Sequence, residues 1–144
     1  MAEGQTQIQV DKTNLLKAGK IPVIAAAVGG ALWLLGALGG LLGILFWAIA
    51  IFAGYWYVDQ VLKSGAKPTI VDVIVNGAVL GAVVGLVYAV TTWIAISIRF
   101  PGFAGLAFRW GFGSIIRVIL EGGIGGAIGA AGWFAYKTGM IKTK

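Results

Sequence analysis

Residues 21–58 read IPVIAAAVGGALWLLGALGGLLGILFWAIAIFAGYWYV, which is 38 residues without a charged side chain. A bilayer core of roughly 30 Å needs only about 20 apolar helical residues to cross it. A single straight helix of this length would reach about 57 Å at about 1.5 Å per residue, and half of it would be pushed into water. We therefore interpret the stretch as a hairpin of two short spans in an integral membrane protein.

The composition of the whole chain agrees with a membrane protein. Hydrophobic residues make up 59% of the chain, charged residues make up 11%, and the mean hydropathy is +0.93. A soluble domain would carry about 25% charged residues. The chain has no cysteine and no histidine, which excludes disulfides, Cys/His metal sites, His-ligated haem and a histidine base. We expect no enzymatic activity, no cofactor and no metal.

Two further segments, residues 70–98 and 114–136, are each long enough to cross a bilayer. The expected fold is an all-α integral membrane protein with four transmembrane helices, in which a short N-terminal helical hairpin precedes two longer glycine-rich helices. The expected divisions are a polar segment (1–20), the hairpin (21–58), a cytoplasmic link (59–68), the third span (69–98), an aromatic interfacial loop (99–113), the fourth span (114–136) and a basic tail (137–144). The hairpin turn is expected near Leu38, Gly39 and Gly40. The alternative is one long bent first helix, with three spans in total.

The basic residues favour four spans. With four spans one side of the membrane receives Lys12, Lys17, Lys20, Lys63, Lys67, Lys137, Lys142 and Lys144. The other side then receives only Arg99 and Arg109, whereas three spans would divide these ten residues equally. Because cytoplasmic loops carry the excess of Lys and Arg, both termini are expected in the cytoplasm. The expected location is a prokaryotic cytoplasmic membrane, and the net charge of +6 is assigned to topology rather than to nucleic acid.

Aromatic residues end two of the expected spans on this lysine-rich side. They are Tyr55, Trp56 and Tyr57 in the second span and Trp133 and Tyr136 in the fourth. Such rings are typical of the membrane interface.

The third and fourth spans match each other at an offset of 45 residues. Thr69 aligns with Ser114, Gly77 with Gly122 and Gly81 with Gly126; Asp72 falls on Arg117, and Asn76 on Glu121. Thr69 and Ser114 are expected as N-caps. In the four-span topology these helices run in opposite directions, as in inverted repeats. Chance similarity between two glycine-rich apolar segments is the alternative.

Glycines recur with the small-xxx-small spacing that allows close helix packing in lipid. The expected packing residues are Gly77, Gly81, Gly85, Gly122, Gly125, Gly126 and Gly129. This pattern resembles a glycine zipper built from GxxxG motifs, and Gly36, Gly39, Gly40 and Gly43 extend it to the hairpin. Because the fourth span consists largely of small residues, it is expected to be stable only when it is packed on several sides, within the bundle or against a partner.

Three polar residues inside the apolar runs are candidates for function: Asn76, Arg117 and Glu121. Intramembrane ionisable residues often mark an ion or proton path. The local reading is that Arg117 and Glu121 form a neutralising i, i+4 pair near the interface, and that Asp72 complements the helix dipole of the third span.

The segment RFPGFAGLAFRWGFG, residues 99–113, is too apolar for a free loop and is interrupted by proline and glycine. We expect it to lie in the interface, where rings contact acyl chains and guanidinium groups face phosphates. Docking on another protein is the alternative. The expected contact residues are Arg99, Phe100, Phe103, Phe108, Arg109 and Trp110.

Two functions remain open at the level of sequence. The first is a non-enzymatic structural or accessory subunit, which packs through its glycine-rich helices into a larger membrane assembly or a homo-oligomer. The alternative is a small channel or transporter with a polar path at Asn76 and Glu121. A water-lined path across about 30 Å needs more than two polar side chains unless several copies surround it, which favours the subunit. The expected partners are membrane lipids, other membrane subunits or copies of the chain, and no nucleic acid.

The four-span topology predicts that residues 5, 65 and 142 lie on one side of the membrane. Cysteines introduced singly at these positions should all react with an impermeant thiol reagent from the same face. Labelling of position 65 from the face opposite to position 5 would exclude the hairpin.

Overall fold

Four α-helices make up most of the described chain. The computed structural model describes residues 12–35 and 39–139, with side chains for all of these except residues 35, 39, 40 and 103–112. The helices are α1 (Lys12–Ala31), α2 (Gly39–Lys63), α3 (Ile70–Arg99) and α4 (Ala104–Lys137). Short 3-10 turns, Leu32–Leu35 and Pro101–Phe103, follow α1 and precede α4. Each helix contains a segment long and apolar enough to span a membrane, as in an integral membrane protein with four spans.

The hairpin predicted over residues 21–58 is confirmed, and the single long first helix is wrong. The apolar run divides into α1 and α2, which pack against each other. The turn differs in position from the prediction, because α1 ends at Ala31 and Gly39 and Gly40 already belong to α2. Leu38, the third residue of the predicted turn, lies outside the described residues.

The helices extend further into the lysine-rich ends than the sequence predicted. Residues 12–20, assigned to a polar segment, are helical, and α1 continues through Pro22 without a break. The predicted link at 59–68 is shortened because α2 continues to Lys63. The Asp59 carboxylate and the Lys63 ammonium form an i, i+4 ion pair at 2.7 Å that accompanies this last turn of α2.

The predicted N-cap of α3 is confirmed. Thr69 Oγ1 accepts a hydrogen bond from the backbone N–H of Asp72 at 3.2 Å, and the Asp72 carboxylate accepts one from the Thr69 N–H at 3.3 Å. This reciprocal capping box satisfies two backbone donors that the helix cannot satisfy itself. The local role expected for Asp72 is therefore correct.

The predicted N-cap at Ser114 and the predicted loop at 99–113 are wrong. Ser114 lies well inside α4, which begins at Ala104, so residues 104–113 have a helical backbone. Glycine costs a helix up to about 1 kcal/mol per residue. An irregular backbone in an apolar environment costs several kcal/mol for each unpaired polar group, so the helix is the more stable solution.

The four helices run alternately up and down. Gly19 approaches Leu80 and Gly29 approaches Tyr88, so α1 and α3 are parallel, whereas Gly77 and Gly81 approach Gly126 and Gly122 in the antiparallel order. The start of α1 and the end of α4 therefore lie at the same end of the bundle. The two middle helices, α2 and α3, each contact all the others, and within the described ranges α1 and α4 do not touch.

A buried tyrosine joins the hairpin to α3 at the opposite end. Tyr88 Oη donates a hydrogen bond to the Leu42 carbonyl oxygen at 3.0 Å and accepts one from Trp33 Nε1 at 3.1 Å. The rings of Tyr88 and Phe46 have centroids 4.8 Å apart. Because Trp33 follows α1 and Leu42 begins α2, this one hydroxyl holds both arms of the hairpin against α3.

We expect Tyr88→Phe to lower the free energy of unfolding by about 1–2 kcal/mol, because it removes two hydrogen bonds and leaves the ring packing intact. Unfolding in mixed micelles, followed by helical circular dichroism, measures this change. The matched control is Tyr136→Phe, since Tyr136 is exposed. An effect no larger than that of the control would show that the hydroxyl does not hold the hairpin.

Candidate functional site

The most extensive helix contact among the described residues is the crossing of α3 and α4, where backbones meet without intervening side chains. A Cβ atom placed on Gly81 would collide with the carbonyl oxygen of Gly122 and lie 2.9 Å from the Cα of Gly126. A Cβ on Gly126 would collide with the carbonyl oxygen of Gly77 and lie 2.9 Å from the Cα of Gly81. These positions therefore require glycine for the contact to exist.

The crossing has a local two-fold symmetry that follows the 45-residue offset. The neighbours of Gly81 are Gly122 and Gly126, and those of Gly126 are Gly77 and Gly81. Moving each α3 position forward by 45 and each α4 position back by 45 converts one set of contacts into the other. The Gly81–Gly126 contact is its own mate under this exchange. An inverted repeat beyond this crossing stays a prediction.

A second face of α4 packs against α2 in the same manner. A Cβ on Gly125 would lie 2.8 Å from the Cβ of Ala50, and one on Gly129 would lie 3.1 Å from the Cα of Ile51. Gly54 of α2 returns the contact, since a Cβ there would lie 2.6 Å from the backbone nitrogen of Ala130. The α4 helix is thus packed on one side against α3 and on another against α2 of the same chain.

The seven glycines predicted for packing all lie at these contacts. They are Gly77, Gly81, Gly85, Gly122, Gly125, Gly126 and Gly129. The extension to the hairpin is wrong at Gly43, because a Cβ added there would have no atom within 4 Å. Gly36 lies outside the described residues. Sequence reasoning missed Gly29, Gly30 and Gly54, which approach α3 or α4 but do not repeat at intervals of four.

Asn76 is buried in the bundle and bonds within its own helix. The side chain is 1% exposed, and its Nδ2 donates a hydrogen bond to the carbonyl oxygen of Asp72 at 2.7 Å. An amide that bonds back to the preceding turn is a local way to satisfy a polar group in an apolar core.

Arg117 and Glu121 form the i, i+4 pair that the sequence predicted. Arg117 Nε lies 2.7 Å from Glu121 Oε1, and the two side chains are 79% and 27% exposed. The local reading placed this pair near the interface, at the start of a helix capped by Ser114. Because α4 begins at Ala104, Arg117 follows more than three turns of helix. Its position relative to the membrane interface stays a prediction.

The structure does not bring Asn76 and Glu121 together. In the antiparallel register set by the Gly81 and Gly122 contact, Glu121 lies at the level of Ala82. That level is about 9 Å along the axis from Asn76 at about 1.5 Å per residue. The Asn76 side chain is buried in the core, whereas the Glu121 side chain is half-buried and paired with Arg117.

Within the predicted interfacial segment, side chains are described only for residues 99–102 and 113. The Arg99 guanidinium donates a hydrogen bond to the Leu34 carbonyl oxygen at 2.6 Å and lies 5.6 Å from the centre of the Phe100 ring. Arg99 therefore caps the end of the hairpin's 3-10 turn, in addition to any contact with lipid. The remaining side chains expected to contact lipid or a partner, which are Phe103, Phe108, Arg109 and Trp110, lie outside the described residues.

At the opposite end, aromatic rings join α2 to α4. Tyr55 and Trp133 have centroids 4.4 Å apart in an edge-to-face pair, and Trp133 stacks on Tyr136 at 5.2 Å. Lys137 Nζ lies 5.1 Å from the Trp133 ring. Tyr57, expected in the same interfacial group, is instead buried in the core at 1% exposure.

Comparison with protein family models, with curated proteins and with solved structures finds no match to this chain. Within the described residues, no group of three or more His, Cys, Asp or Glu side chains is placed to hold a metal ion.

We expect Gly126→Ala to lower the free energy of unfolding by about 1–3 kcal/mol, because the added methyl group meets backbone atoms of α3 that cannot move aside. The matched control is Gly132→Ala in the same helix, where a Cβ has nothing within 4 Å. That change should stabilise the helix by up to about 1 kcal/mol. Unfolding titrations of the two variants should therefore shift in opposite directions, and equal shifts would contradict a backbone contact at Gly126.

Proposed function

We propose that the protein is a non-enzymatic structural or accessory subunit that packs through its glycine-rich fourth helix into a larger membrane assembly or against copies of itself. The observation that carries the proposal is the ion pair of Arg117 and Glu121 on the outward side of α4. The proposed location is a prokaryotic cytoplasmic membrane with both termini in the cytoplasm, supported by the distribution of lysines.

The contact between α3 and α4 sets the level of this ion pair in the bundle. A Cβ on Gly85 would lie 2.5 Å from the carbonyl oxygen of Val118, which places Arg117 at about the level of Gly85. Gly85 is at the middle of α3, which runs Ile70–Arg99. A charged side chain at the centre of a membrane helix costs about 2.5–3.5 kcal/mol, and such residues nearly always face protein or water rather than lipid.

The ion pair is directed away from α3 through its exposed arginine. Arg117 lies on the side of α4 away from α3, together with apolar residues that the bundle leaves uncovered. These exposed residues are Ile116, Leu120, Ile124 and Ile128. A face of this kind, with apolar residues at helical spacing around a central ion pair, suits the side of another transmembrane helix that supplies polar partners for Arg117.

The internal use of the glycines also supports this assignment. Both glycine faces of α4 are occupied by α2 and α3 within one chain. Contact with a partner therefore falls to the third, outward face, which carries the ion pair.

The channel alternative gains no support from the polar residues. Asn76 is buried in the core and donates a hydrogen bond to the Asp72 carbonyl oxygen, while Glu121 is half-buried and is neutralised by Arg117. These two groups do not line a shared path through one copy of the chain.

The size of the extracted particle tests the proposal. Light scattering on protein extracted with native lipid should give a protein mass above the 14.9 kDa of one chain, and identification of the chains present distinguishes self-association from a partner. The double variant Arg117→Ala with Glu121→Ala should give one chain, because it removes the charges that require a partner. The matched control is Asp59→Ala with Lys63→Ala, which removes an ion pair of the same spacing and length near the end of α2. A single-chain particle for the unmodified protein would refute the proposal.

Flux measurements separate the subunit from the channel. Liposomes that contain only the purified chain should show no ion- or proton-dependent flux, and Glu121→Gln should leave them unchanged. Flux from the purified protein that this substitution abolishes would establish the channel instead.

A further inference from the structure

An apolar groove lies between α1 and α3, and two lysines contribute their stems to its lining. It has a volume of about 630 Å³, and Lys12 and Lys20 line it together with apolar side chains of both helices. The apolar lining includes Leu16, Val23 and Ile24 of α1 and Val79, Leu80 and Val83 of α3. Among the described residues that line the groove, none is acidic.

Lys20 lies deep along the bundle. Gly19 packs against Leu80, with a distance of 3.2 Å from an added Cβ to the Leu80 Cδ1. Lys20 is therefore level with Gly81, about 16 Å from the start of α3 at about 1.5 Å per residue. A lysine at this depth requires an anion or a route to water.

Lys12 and Lys20 are both exposed and line the same groove. Helical side chains lean toward the N-terminus of their helix, so both ammonium groups are expected toward the lysine-rich end of the bundle, where snorkelling lysines meet lipid phosphates. An anion at this rim of the groove would be attracted by both charges.

The apolar part of the groove fits an acyl chain that descends from such an anion. From Lys12 to Ile24 the groove extends for about 18 Å along α1, and one leaflet of a bilayer core is about 15 Å deep. We infer that the groove binds one anionic phospholipid, with the phosphate at the rim that carries Lys12 and Lys20 and an acyl chain against Val23, Val79 and Val83. Basic pockets between helices on the cytoplasmic side favour anionic headgroups by the same charge complementarity.

Native mass spectrometry of the delipidated full chain tests this inference. Phosphatidylglycerol and phosphatidylcholine with identical acyl chains are added separately, and glycerol phosphate is the probe without chains. We expect one tightly bound phosphatidylglycerol per chain, weaker binding of phosphatidylcholine and no retention of glycerol phosphate. Equal affinity for the two lipids, or retention of glycerol phosphate as strong as that of phosphatidylglycerol, would overturn the inference.

Two variants separate the charge from the groove. Lys12→Gln with Lys20→Gln should weaken phosphatidylglycerol binding by about thirtyfold, because each ammonium group near anionic lipid contributes about fivefold. The matched control, Lys67→Gln with Lys137→Gln, removes the same charge from the same end of the bundle and should change binding by less than about twofold. Val83→Trp fills the groove without altering charge and should weaken both lipids. An equal loss in the control, or full binding by Val83→Trp, would show that the lipid does not occupy this groove.

Discussion

The fold depends on the contact between the backbones of α3 and α4. In lipid there is no hydrophobic force that drives two apolar helices together, so association relies on close van der Waals contact and weak polar contacts. At Gly81 and Gly126 the carbonyl oxygens of one helix face the Cα atoms of the other, which is the geometry of weak Cα–H···O bonds. Any larger residue would separate the helices and remove both contributions together.

Two charged sites flank this contact at nearly the same depth. Lys20 of α1 is level with Gly81, and the Arg117–Glu121 pair of α4 is level with Ala82 and Gly85. Since α1 and α4 are the outer helices of the described bundle, these charges lie on opposite sides of the molecule. Each site therefore faces the surroundings and not the core. That arrangement makes the two outer helices, and not the glycine crossing, the surfaces that are expected to distinguish lipid from protein neighbours.

The sequence predicted the parts of the fold that depend on local chemistry. The charge-free length of residues 21–58 predicted two spans, and Thr69 with Asp72 predicted the start of α3, because a capping box involves only neighbouring residues. The spacing of Gly81 and Gly126 placed them on faces that the structure brings together. The lysines of α1 were misleading, since charge was taken to end a span although a helix can carry snorkelling lysines.

The remaining features depend on contacts between distant residues or on the solvent. Ser114 has the chemistry of a cap, but a cap forms only where a helix begins, and the need for backbone hydrogen bonds extends α4 upstream to Ala104. The bond between Trp33 and Tyr88 joins residues that are far apart in the chain, so no local pattern indicates it. The depth of Arg117 followed only once the register of α3 and α4 was known.

The glycine faces of α4 affect the order in which the helices enter the membrane. Of the four spans, α4 is the least apolar, and its two glycine faces offer little surface to acyl chains. Alone in a bilayer it would expose backbone and an ion pair to hydrocarbon while making none of the contacts that compensate for them. We therefore expect α4 to enter the membrane stably only after α2 and α3 are in place. Synthesis from the N-terminus delivers the helices in that order.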